Sequence, residues 1–89
     1  MIKEEEFLLL SAHSTHIVMK CEGILKESGV SCRVIPLPSE LSASCGLSIK
    51  TELKNLEEVK NILNKEKLEL DLYKVKKNGL KKSIEKIDQ

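Results

Sequence analysis

The spacing of apolar residues switches repeatedly along this 89-residue chain, and the order of those switches restricts the fold more tightly than any other feature. Phe7-Leu8-Leu9-Leu10-Ser11-Ala12 is apolar apart from its serine and of strand length, which predicts a strand central in its sheet or covered on both faces. Ser14 then offers a helix N-cap, and Ile17, Val18, Cys21, Ile24 and Leu25 recur at the spacing of one helical face, with Gly29 as the stop. Gly23 inside that helix costs about 1 kcal/mol against Ala, and it is read as a sign of close packing on a sheet. Residues 30–37 predict a second strand, Cys32 and Val34 on one side and Arg33 and Ile35 on the other, stopped by Pro36 and Pro38. Residues 46–51 alternate apolar with polar and predict a third. Asn55 with Glu58 has the form of a capped helix start, and Leu56, Val59, Ile62 and Leu63 form the face that follows, with residues 64–67 as a turn. Leu68, Leu70 and Leu72 alternate as a fourth strand with one wet face.

Strand, helix, strand, strand, helix, strand with right-handed crossovers most often folds as an α+β, ferredoxin-like βαββαβ sandwich: a four-stranded antiparallel sheet with two helices on one face. That domain is expected over residues 1–76, its second sheet face open to solvent or pairing with another copy in a homodimer. Residues 77–89 form a basic C-terminal tail, where Leu80, Ile84 and Ile87 fall at intervals of four and three and predict a short, frayed amphipathic helix.

Charge removes several function classes. Fifteen basic residues stand against fourteen acidic ones, a formal charge of +1, and Arg33 is the lone arginine. Neither a global field nor bidentate guanidinium groups are present to hold nucleic acid. The longest apolar run is four residues, far short of the roughly 20 that cross a membrane, and the acidic start at Glu4-Glu5-Glu6 is unlike a secretory signal. The expected compartment is the cytoplasm, where Cys21, Cys32 and Cys45 are reduced. An odd cysteine count without CxxC or CxxH spacing predicts neither a disulfide framework nor a zinc site, and no cofactor is called for.

Thiol chemistry is therefore sought one cysteine at a time, and the stretch from Pro36 to Gly46 draws attention. Two prolines and three serines interrupt the apolar pattern there, and Cys45-Gly46 closes it as the third strand begins. In the predicted topology residues 13–16, 36–45 and 64–67 converge on one edge of the sheet. A thiol near the start of the first helix would have its pKa lowered from about 8.5 by the helix dipole and by cations, for which His13, His16, Lys65 and Lys67 are candidates.

Phe7-Leu8-Leu9-Leu10 leading to Ser14-Thr15-His16, then Val34-Ile35-Pro36-Leu37-Pro38, then Leu41-Ser42-Ala43-Ser44-Cys45-Gly46-Leu47-Ser48-Ile49, resembles the selenium/sulfur carrier protein-like family of small bacterial and archaeal proteins. The likeness covers roughly residues 7–63, and Ser-Ala-Ser-Cys-Gly-Leu is its most specific part. It implies that Cys45 is a carrier thiol holding sulfur or selenium as a persulfide or perselenide, with a sulfur- or selenium-donating enzyme and an acceptor protein as partners. Gly46 would then let the backbone approach the sulfur, and Ser42 and Ser44 could donate hydrogen bonds to the loaded group or satisfy their own loop. Ser14 and Thr15 read either as caps or as site residues, and His16 as a group that favours thiolate. Cys21 and Cys32 read as core. The alternative function is a small-molecule-sensing or oligomerising domain that needs no reactive cysteine.

Overall fold

A computed structural model of the chain describes residues 4–38 and 46–87. Its elements run β1 (Glu4–Ser11), α1 (Thr15–Glu27), β2 (Cys32–Pro36), β3 (Leu47–Glu52), a 3-10 turn (Leu53–Asn55), α2 (Leu56–Glu66), β4 (Asp71–Asn78) and β5 (Lys81–Ile87). The strands form one antiparallel sheet in the order β2-β3-β1-β4-β5. The α+β class with two helices stands, but the sheet has five strands rather than four. The frayed helix expected after Gly79 is the fifth strand.

That correction has a simple cause. Ile84 and Ile87 are three residues apart, which places them on one side of a helix but on opposite faces of a strand. Here Ile84 packs against Phe7, Leu9 and Val75, and Ile87 packs on the larger core under the helices. Both faces of the sheet offer apolar cover at this edge, so the strand buries what a helix would have left half wet. The hairpin that permits it is Asn78-Gly79-Leu80-Lys81, with Asn78 paired to Lys81 across a two-residue loop. Gly79 takes φ 63°, as the first central position of a type II′ turn requires. Leu80, at the outer corner of that turn, is fully exposed.

β1 is the centre of the molecule. It pairs with β3 on one side and β4 on the other, and every residue from Phe7 to Ala12 is buried. Leu8, Leu10 and Ala12 join Val18, Cys21, Leu25, Ile49, Val59, Leu63 and Leu72 in the core beneath α1 and α2. Phe7 and Leu9 point the other way and form a second cluster with Val75, flanked by Ile35, Tyr73 and Ile84. The strand also starts earlier than its apolar run. Glu4, Glu5 and Glu6 lie opposite Asn78, Lys77 and Lys76, and Lys76 Nζ stands 3.8 Å from Glu6 Oε1. Opposite charges across the ladder recruit into the strand a segment whose composition argues against it.

The helix ends follow different rules. At α1, Ser14 is an extended N-cap whose Oγ accepts a hydrogen bond from Ile17 N at 3.3 Å. At α2, Asn55 does not cap; it closes the 3-10 turn and its Nδ2 donates to Thr51 Oγ1 at 3.2 Å. α2 runs through Glu66, past the turn expected at residues 64–67, and ends on Lys67 in the left-handed region at φ 54°. Gly23 is exposed, and a Cβ built on it meets nothing within 4 Å, so it does not mark a close approach to the sheet. Among the described residues, no helix is long and apolar enough to cross a membrane.

Candidate functional site

Register places the chain connections. Ser11, the last residue of β1, pairs with Ser48 of β3 and with Asp71, the first residue of β4. Pro36, the last of β2, pairs with Leu47, the first of β3. One edge of the sheet therefore carries the β1–α1 connection, the β2–β3 connection and the passage from α2 into β4, as the topology argument anticipates. α1 starts from that edge with no acidic residue in its first turn, so no side-chain carboxylate there offsets the partial positive charge of its N-terminal amides.

The β2–β3 connection is closed at its base by a hydrogen bond from Leu37 N to Gly46 O of 2.9 Å. Gly46 is exposed and adopts φ 69° with open space where a Cβ would stand. Backbone conformation, not crowding, is what calls for glycine at this position. Just inside the base, Ser48 is fully buried and its Oγ donates to Ile35 O at 3.3 Å, tying the two strands where the connection leaves them. Ser42, Ser44 and Cys45 lie outside the described residues; by chain position all three fall within this connection.

The remaining candidates divide by exposure. Ser14 is half-buried and occupied as the α1 cap, while His13, Thr15 and His16 are exposed on the edge where α1 begins. Lys65 and Lys67 are exposed at the far end of α2, where the chain passes toward β4. Among the described residues, no group of three or more His, Cys, Asp or Glu side chains is arranged to hold a metal ion.

The two described thiols are free and sit in the helix layer of the core. Cys21 is fully buried, and burial, with Cys32 nearby, pushes its pKa up to about 12. Cys32, half-buried at the start of β2, is also raised, chiefly by burial and then by Glu22, with Lys26 pulling the other way. Its Sγ lies 4.0 Å from the Glu22 carbonyl oxygen. A thiol so placed stays protonated at neutral pH and is a poor nucleophile.

The opposite end of the sheet holds a feature that sequence reasoning does not bring together. A groove of about 480 Å³ is lined by Glu5, Phe7, Cys32, Arg33, Lys50 and Glu52, among others. Lys50 Nζ lies 2.9 Å from Glu5 Oε1 and 4.4 Å from the centre of the Phe7 ring. The pairing joins residues 45 apart in sequence, and nothing in the local pattern signals it. Because its central cation is already held by a carboxylate and a ring, the groove needs no ligand to explain its charges.

A sequence profile for a family described as "Putative Se/S carrier protein-like" matches residues 7–74, and the chain belongs to that family. The match takes in β1 through the first half of β4. No curated protein and no solved structure gives a significant match.

Proposed function

We propose that this member of the selenium/sulfur carrier protein-like family holds a single sulfur or selenium atom on Cys45 as a persulfide or perselenide. The observation that carries the reading is the state of the other two thiols. Cys21 and Cys32 are both pushed away from thiolate by burial, which leaves Cys45 as the chain's one candidate nucleophile. Family membership supports the cargo. The α1 N-terminus, free of first-turn acids and bordered by His13 and His16, supports an anion near the β2–β3 connection.

The transfer needs no outside oxidant. The Cys45 thiolate attacks the terminal sulfur of a donor enzyme's cysteine persulfide. A sulfur–sulfur bond forms on Cys45 while the donor's breaks, and the donor leaves as thiolate. Delivery repeats the same exchange, with an acceptor thiolate attacking the outer atom. Selenium follows the same course with a sulfur–selenium bond. Gly46 gives the approaching backbone room beside the sulfur, and Ser42 and Ser44 donate hydrogen bonds to the anionic product. Ser14 serves as the cap of α1, and Thr15 and His16 border the site. The order of β1 to β4 is read as the ferredoxin-like arrangement, with β5 appended at its edge.

The test is a reactivity order followed by loading. Iodoacetamide at neutral pH is expected to alkylate Cys45 first, Cys32 more slowly and Cys21 only on unfolding. Incubation with a cysteine desulfurase and cysteine is expected to add one sulfur by intact mass, and the Cys45→Ser chain to add none. Alkylation of Cys32 ahead of Cys45, or equal sulfur uptake by the Cys45→Ser chain, would falsify the assignment.

A further inference from the structure

β5 is an edge strand: among the described residues, no strand pairs with its outer side. Its alternate N–H and C=O groups along that side form a template for another strand. Lys82, Ile84 and Lys86 share one face, and Lys81, Ser83, Glu85 and Ile87 the other. Ile84 and Ile87 are half-buried and the other five are exposed. Residues 72–84 contain five lysines and no aspartate or glutamate. Lys82 lies opposite Lys77 across the hairpin, and Lys81, Lys82 and Lys76 border a hollow of about 510 Å³ with Asn78 and Ser83.

Charge decides what this edge can accept. Antiparallel self-pairing centred on Ile84 would set Lys82 of each copy against Lys86 of the other, and parallel pairing would stack like lysines; both are unfavourable. A nucleic acid would find neither arginine nor an exposed aromatic ring for stacking. An anionic bilayer met tip-on would feel only the lysines within a Debye length of about 8 Å, whereas seven strand residues extend over roughly 20 Å. An extended acidic chain lying alongside β5 meets the lysines of both faces and satisfies the backbone as well. We infer that the free edge of β5 receives an extended acidic segment of a partner protein as a sixth strand. The surface is remote in sequence from Cys45 and makes no use of it, so this inference stands or falls separately from the carrier reading.

The probe is a heptapeptide with blocked ends, Val-Glu-Lys-Val-Thr-Glu-Glu, which sets glutamates against Lys81, Lys82 and Lys86 in an antiparallel pairing. Added to the full isotope-labelled chain, it is expected to slow amide exchange at every second residue of β5. Its affinity falls as salt rises, and a twin with Gln in place of Glu binds about tenfold more weakly, since each opposed charge pair contributes roughly 0.2–1 kcal/mol. The Lys82→Glu/Lys86→Glu chain is expected to reverse the preference toward a peptide carrying Lys at the facing positions. Equal binding of the Glu and Gln peptides overturns the inference. So does protection that falls away from β5, or binding to phosphatidylserine vesicles or single-stranded RNA without binding to the peptide.

Discussion

Two glycines illustrate how one residue type carries opposite instructions. Gly23 lies in the middle of α1, exposed, with nothing within 4 Å of a Cβ. Gly46 stands where the β2–β3 connection closes, at φ 69°. Gly23→Ala is expected to stabilise the protein by about 0.5–1 kcal/mol, because the helix gains propensity and the unfolded chain loses freedom. Gly46→Ala is expected to destabilise it by about 1 kcal/mol, since an L-residue bears a penalty in the left-handed region, while Gly46→Asn costs less. Urea unfolding of the three variants checks both signs. The sequence alone gives no way to tell these glycines apart: periodicity finds the helix around Gly23 but says nothing of which side faces the sheet. Cys21 yields a second prediction at this scale. Its folded pKa is raised from 9.0 to about 12, so between those values the unfolded chain has lost a proton that the folded chain keeps. Stability from this group is complete below about pH 9 and is lost as pH rises toward 12. The slope exceeds that of the Cys21→Ala chain by up to about 1.4 kcal/mol per pH unit. Denaturant titrations at pH 8, 9.5 and 11 measure it; parallel slopes for the two proteins would show that Cys21 ionises as freely folded as unfolded.

At the scale of elements, the helix starts separate local rules from tertiary ones. Ser14 caps α1 as its residue type and place predict, and the bond to Ile17 N is local in sequence. Ser14→Ala is therefore expected to cost about 0.5–1 kcal/mol, toward the lower end for a cap because the 3.3 Å distance is long. Thr or Asp at the same position is expected to restore most of it, and thermal unfolding of the series provides the check. Asn55 carries the same local signal, yet it turns to Thr51, whose Oγ1 donates to Ser31 O at 2.7 Å. A side chain that finds a strand residue already anchored to another loop follows that contact in place of the cap. β1 was legible from its unbroken apolar run, whereas its acidic first residues and all of β5 depend on partners elsewhere in the chain. Glu6 needs Lys76, and Ile84 needs Val75. The candidate site divides in the same way. The convergence of three connections follows from element order alone, but the inertness of Cys32 depends on Glu22 and burial against α1.

For the whole molecule, the consequence of β5 is a sheet with an interior on both faces. A four-stranded sheet with helices on one side would leave β4 as an edge and its second face wet. With five strands, β4 is flanked on both sides, and Val75 is 0% exposed although it faces away from the helices. Leu9, in the middle of β1 on that same face, is also 0% exposed, as is Leu10 on the helix side. Ile35, Tyr73 and Ile84 surround the second cluster, and Lys50 lays its chain toward the Phe7 ring. If both clusters are close-packed core, truncating either leucine removes the same methyl groups and leaves a comparable void. Leu9→Ala and Leu10→Ala are thus each expected to lower stability by about 2–5 kcal/mol, a large part of what a domain of this size possesses. Urea melts with unchanged slope give the comparison. A loss below about 1 kcal/mol for Leu9→Ala, beside a full loss for Leu10→Ala, means that the second cluster is surface rather than core and that β5 adds an edge without adding an interior.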